Sequence, residues 1–173
     1  MSSRHSPSPT RAVLDLQNAR SLLGKRLSVL LHDQYYFNDE KDLGDIGSLE
    51  WRFGEGEVLS MYLLSDGERV GADLFPSDTP APFEIEPNVT CSWKRENLLA
   101  DLSATHLENT KICAVEGILD SFNGQEPWLA GFRVTLETGD SLIYLNQGDD
   151  AVVLINVLPP VSVGLETRFV TSI

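Results

Sequence analysis

The sequence predicts an α+β fold, strand-rich overall, made of two tandem diverged halves that each place a helix before a run of antiparallel strands. Three observations predict it. A helical apolar stripe near the N-terminus gives way to two-residue alternation at Lys25, the same succession restarts near residue 95, and matching residues recur at a nearly constant offset.

Residues 1–8 are rich in Ser and Pro and read as a disordered tail. Ser8 then reads as a helix N-cap with Pro9 at the first helical position, where its missing N–H costs nothing. Val13, Leu16, Ala19, Leu22 and Leu23 form one apolar stripe, and Gly24 is the expected left-handed stop, so a helix is expected over 9–23. Residues 26–31 read as a strand, and 37–47 as an acidic loop. Leu49, Trp51 and Phe53 alternate with Glu50 and Arg52, the pattern of a half-buried strand. Turns at Glu55-Gly56 and Ser65-Asp66-Gly67 bracket a strand over 58–64. A Pro-rich connector, 75–82, leads to a further alternating run through Phe83, Ile85, Val89, Cys91 and Trp93.

The order then restarts. Leu98, Leu99, Leu102 and His106 or Leu107 have helical spacing within 95–107, and Asn109 is the stop. Strands are expected over 111–118, 132–136, 142–145 and 152–157, with a last one between Val161 and Phe169 and a loop holding Pro127-Trp128. Leu22/Leu107, Gly24/Asn109, Arg26/Lys111 and Leu27/Ile112 match at one offset. Gly56/Gly139, Leu59/Leu142, Asp66/Asp149 and Val70/Val153 match at an offset two residues shorter. The chain therefore divides into a first half, 9–93, and a second, 94–173, fused as one compact unit. A continuous sheet and a pseudo-twofold pair both satisfy this pattern.

Charge restricts the partners. The net charge of −13 is uneven: residues 1–31 hold five Lys/Arg and one acid, so the remainder carries 8 basic against 25 acidic residues. A body this negative repels nucleic acid and anionic membranes and attracts basic proteins, while also favouring solubility. Cys91 and Cys113 lie in apolar stretches without metal-ligand spacing and read as buried thiols of a reduced compartment. The first dozen residues lack the apolar core of a signal peptide and no long apolar run follows, so a cytoplasmic protein is expected.

The chain carries no phosphate-binding glycine loop, no HExxH and no nucleophile elbow, and its three histidines form no triad by spacing. No catalytic residue and no cofactor is expected. The acidic loop offers Asn38, Glu40, Asp42 and Asp45 as oxygen ligands. A calcium loop begun at Asn38, however, would have Leu43 where glycine is needed and Leu49 where glutamate is needed, so no metal is assigned. Acids beside the glycine turns, Glu55/Glu57 and Asp149/Asp150, read as turn chemistry. Trp128, after a proline and beside Glu126, reads equally as an interface anchor and as packing over a sheet edge.

The run from Gly131-Phe132-Arg133-Val134 to Asp149-Asp150-Ala151, leading to Ile155-Asn156-Val157-Leu158-Pro159 and matched by Leu49-Glu50-Trp51-Arg52-Phe53, resembles the small acidic bacterial immunity proteins encoded beside polymorphic toxins. The resemblance spans about 22–73 and 107–158. It implies a non-enzymatic protein that binds and blocks a toxin domain. The expected partner surface comprises Glu40, Asp42 and Asp45, with Trp128, Asp149 and Asp150 as a second patch, set against a basic active-site cleft. A chaperone or adaptor masking a basic segment is the alternative. A small-molecule or metal-dependent enzyme using scattered carboxylates is the third reading.

Overall fold

The computed structural model describes residues 9–54 and 56–173. The tail at 1–8, the N-cap at Ser8 and the turn residue Glu55 lie outside them. Helix α1 (Pro9–Arg20) is followed by β1 (Val29–Phe37), β2 (Glu40–Lys41), β3 (Leu49–Phe53), β4 (Glu57–Leu63), β5 (Val70–Asp73), β6 (Phe83–Glu86) and β7 (Val89–Asn97). After the short helix α2 (Leu98–Asp101) and a single 3-10 turn (Thr105–Leu107) come β8 (Ile112–Phe122), β9 (Trp128–Leu136), β10 (Ser141–Gln147), β11 (Asp150–Ile155) and β12 (Leu165–Val170).

The strands form two antiparallel sheets, an α+β arrangement dominated by strand. The first has the order β5-β4-β3-β1-β7-β6, with β2 paired to β1, and the second has the order β11-β10-β9-β8-β12. In each, four strands meander to one edge, and a later strand returns to pair with the far side of the first. The inward side chains of both sheets meet in one core, Leu30, Leu49, Trp51, Leu59 and Met61 against Val115, Phe132, Val134, Leu142 and Tyr144. The sheets are joined where Arg26 and Lys111 pair as an antiparallel bridge, flanked by Gly24 N–H to Ile112 O (2.9 Å) and Leu27 N–H to Thr110 O (3.0 Å).

Helix α1 closes one side of this core. Leu16, Ala19 and Leu22 are buried, but Val13 and Leu23 of the expected stripe are exposed, Leu23 because the helix ends at Arg20 and turns into Gly24 (φ +80°). Asp15 and Asn18 blunt the edge strand β5: Ala72 N–H donates to Asp15 Oδ1 (3.0 Å) and Asn18 Nδ2 donates to Ala72 O (2.8 Å). The edge strand of the second sheet, β11, is covered by loop 42–47. There Ile46 N–H donates to Ala151 O (2.8 Å), Ala151 N–H donates to Asp45 Oδ1 (3.1 Å), and the Tyr144 hydroxyl donates to Gly47 O (3.0 Å).

Several expectations need correction. The second helix is two short pieces: β7 runs to Asn97, and Ser103 takes a left-handed φ of +54° that ends α2. Strand β1 extends past Leu31 to Phe37, because Asn38 and Asp39, both at positive φ, fold β2 back on it as a tight hairpin. Hairpin β10–β11 turns on two residues, Gln147 pairing with Asp150, whereas β4–β5 turns at Leu63–Val70. That shorter turn sets Val70 level with Ala151 rather than Val153. Phe83 and Ile85 are exposed on the edge strand β6, and Cys113 is exposed while Cys91 is buried. Trp93 faces outward from the first sheet between Tyr35 and Phe83, with ring centroids 5.3 and 5.8 Å away.

Each sheet's outer face is crossed by the connector that leads to its returning strand. Connector 74–82 is pinned to the first sheet: the Ser60 hydroxyl donates to Phe75 O (2.6 Å), Thr79 to Asp33 Oδ1 (2.9 Å), and Arg95 Nη2 to Ser77 O (2.8 Å). Beneath it Arg95 bridges two buried carboxylates, Asp33 (3.2 Å) and Glu50 (2.9 Å), and Arg52 pairs with Glu50 at 2.7 Å. Connector 156–164, over the second sheet, is bonded near its ends, by Asn156 to Ser141 and by Gly164 to Asn123. Its residues 157–161 make no hydrogen bond among the described residues, and Val161 and Val163 stand 97% and 98% exposed.

Candidate functional site

Beneath connector 156–164 lies a groove of about 550 Å³. Four carboxylates line it (Asp66, Glu68, Asp120 and Asp149) with Trp128 and the Pro159-Pro160 pair, and no lysine or arginine is among its described lining. Its position follows from the sheet. Asp120 ends the apolar run of β8 and pairs across the ladder with Trp128, the first residue of β9, while Thr167 of β12 stands on the other side of Asp120. Leu145, at the groove, belongs to a second apolar cluster with Ile118, Ala130 and Ile143, against which Trp128 packs.

Two hairpin tips build the rim. Asn146 Nδ2 donates to Arg69 O (3.0 Å) and Asp149 N–H to Asn146 Oδ1 (3.1 Å), which fastens the β10–β11 turn to the β4–β5 turn. Gly67, at φ +75°, is required at this joint: a Cβ there would come within 3.0 Å of the Asp149 carboxylate. Asp66 is spent on its own turn, accepting from the Glu68 and Arg69 amides and pairing with Arg69 at 2.5 Å. Partial burial works to raise its carboxyl, but the Arg69 and Glu68 hydrogen bonds outweigh it and hold Asp66 below the usual carboxylate range.

Asp120 is the opposite case. It is 9% exposed, and its carboxylate receives one bond, from the Thr167 hydroxyl at 2.6 Å. No cation pairs with it among the described residues. Burial raises its pKa above the ordinary aspartate value, against the pull of the Thr167 bond.

The expected residues divide. Trp128 and Asp149 come together in the groove, and Trp128 begins a strand rather than lying in a loop. Asp150 is exposed one residue from that rim and pairs with Gln147. Asp45 is half-buried and holds Ala151 and Gly47 amides, so its carboxylate is a tie between the sheets. Asp42 caps the Gly44 amide (2.8 Å), and Glu40 stands exposed on β2; neither lines the groove. Asp120 and Glu68 escaped sequence reasoning. The available signal for Asp120 was an acid set inside the apolar run 117–122.

A second cluster joins His32, Glu96 and Asp101, whose ligand atoms lie within 4.8 Å of one another. His32 is buried, with Nδ1 donating to Ile46 O (3.0 Å) and Nε2 2.7 Å from Asp101 Oδ2. Such a set fits a divalent cation by ligand type. Lys41 already bridges both carboxylates, at 2.8 Å from Glu96 and 3.2 Å from Asp101. Burial works to raise Asp101, but its bonds with His32 and Lys41 hold it below the ordinary aspartate value. The arrangement is a clasp between β1, β2, β7 and α2, with the Lys41 ammonium as its cation.

No helix among the described residues is long and apolar enough to cross a membrane. No family model, curated protein or solved structure matches this chain.

Proposed function

We propose that this chain is a non-enzymatic, immunity-type inhibitor that binds a toxin domain with a basic active-site surface, and that it acts in the cytoplasm. The observation that carries the reading is the groove of the second sheet, where Trp128 and Asp149 meet Glu68 and Asp120 with no lysine or arginine among the described lining. An aromatic set among unneutralised carboxylates suits a basic protein surface, and the net charge of −13 adds long-range steering toward such a partner.

The two halves are, in this reading, diverged copies of one unit. Five strands of each sheet follow one order, and the register of the central pairs follows the sequence offsets, although Val70 and Val153 fall out of step. Leu30 pairs with Trp51 as Val115 pairs with Val134, and Trp51 pairs with Leu59 as Val134 pairs with Leu142. The copies differ in what their outer faces do: the first is sealed by the pinned connector and its Arg95 network, and the second keeps the groove.

Co-expression with the product of the adjacent gene tests this. The expected result is that the product is toxic alone, is tolerated with this chain, and co-purifies with it. A harmless product that forms no complex would remove the inhibitor reading.

A further inference from the structure

We propose that Asp120 is the counter-ion for one basic side chain, guanidinium or ammonium, of the protein partner, inserted into the groove beside Trp128 under the Pro159-Pro160 segment. The inference rests on the protein-binding reading above and adds the chemistry of its central contact.

Every other strongly buried carboxylate on the outer faces of the sheets has its cation. Asp33 and Glu50 share Arg95, and Glu50 also holds Arg52. Among the described residues Asp120 has a threonine hydroxyl alone. A buried carboxylate without a cation costs stability, and its native role here is not a tie between elements beyond the one bond to Thr167. Asp120 is among the residues that line the groove, which gives an incoming cation a path to it.

The same face of the same sheet shows what the completed arrangement is. Arg133 pairs with Glu116 (2.6 Å) while its guanidinium carbon lies 3.7 Å from the Phe169 ring centroid. That is a cation held between a carboxylate and an aromatic ring. Asp120 and Trp128, adjacent across the β8–β9 ladder, supply the carboxylate and the ring without the cation. Attraction of this kind strengthens when the cation is desolvated, and the groove walls of Leu145, Leu165 and the prolines provide that. Glu68 and Asp149 at the rim add the field that guides a basic side chain inward.

The test uses the full chain, labelled for NMR, titrated with the peptide acetyl-Gly-Arg-Gly-amide and with its neutral citrulline counterpart. The expected result is saturable shifts of the Trp128 indole N–H and the Thr167 amide with the arginine peptide, roughly tenfold weaker with citrulline. Asp120→Asn, or Asp120→Ser should the first fold poorly, is expected to abolish the response while melting at or above the parent temperature. Equal shifts with citrulline, or a response that survives in both variants, overturns the subsite. Loss of the subsite with intact co-purification of the toxic product removes this inference alone. A peptide response without any toxic partner removes the inhibitor reading and leaves the subsite.

Discussion

The Asp45 carboxylate accepts the Ala151 amide at 3.1 Å, and so fastens the acidic loop of the first sheet to the edge strand of the second. An acid that composition alone presents as partner-facing is committed to the fold. Asp45→Ala is expected to destabilise the protein by about 1–2 kcal/mol, since it orphans a strand-edge amide. Glu40→Ala, on exposed β2, is expected to stay within about 0.5 kcal/mol. Urea denaturation of both variants checks the contrast, and hydrogen exchange at the Ala151 amide reports it locally.

Asp15 makes stability depend on pH. Burial raises its pKa from 3.8 to about 6, with the Ala72 amide and Arg11 pulling the other way. The native carboxyl therefore holds its proton more tightly than the unfolded one does. Its contribution is fully present below pH 3.8 and is lost as pH rises through about 6. The expected size is on the order of 2–3 kcal/mol. Melting measured from pH 7 down to 5 should show the rise in the parent and its absence in Asp15→Asn.

Removing the bridge under the first connector is expected to be severe. Arg95→Ala leaves Asp33 and Glu50 buried with a deficit of positive charge, and a cost of about 3–5 kcal/mol follows. Connector 74–82 should become sensitive to limited proteolysis in that variant before the rest of the chain does.

Reversal of the rim charges should act on the rate of association. Glu68→Lys with Asp149→Lys is expected to slow binding of the co-purifying partner by roughly tenfold at low salt, with a smaller difference at high salt. Stopped-flow mixing at two ionic strengths measures it, and equal rates would sink the groove as the binding face.

The two thiols should separate cleanly. Cys113 is exposed, whereas Cys91 is buried with its sulfur 3.0 Å from the Tyr35 hydroxyl. One equivalent of a thiol reagent is expected to react in the native protein and the second only after denaturation.

Where one face of a strand met the core and the other met water, alternation was legible. Leu49, Trp51 and Phe53 are buried and Arg52 is exposed. Glu50 follows the same alternation to the outer face and is buried there all the same, because connector 74–82 covers it. That coverage is a tertiary event with no periodic signature. The second helix failed for a related reason: Leu98, Leu99 and Leu107 are buried as expected, but the turn at Ser103 lets two short segments place them. For the site, Trp128 and Asp149 were identifiable as candidates, while their meeting depends on the Asn146 stitch between two hairpin tips.

The packing of Leu16 on Gly117 sets an order of events during synthesis. A Cβ at Gly117 would come within 3.1 Å of the Leu16 side chain, so helix and strand touch at a position reserved for hydrogen. The helix can bond to β5 through Asp15 and Asn18 once that strand exists, but the seat of Leu16 is complete only when β8 has been translated. Until then the nascent first half has no finished core, and the chain acquires its stable form late, after most of the message has been read.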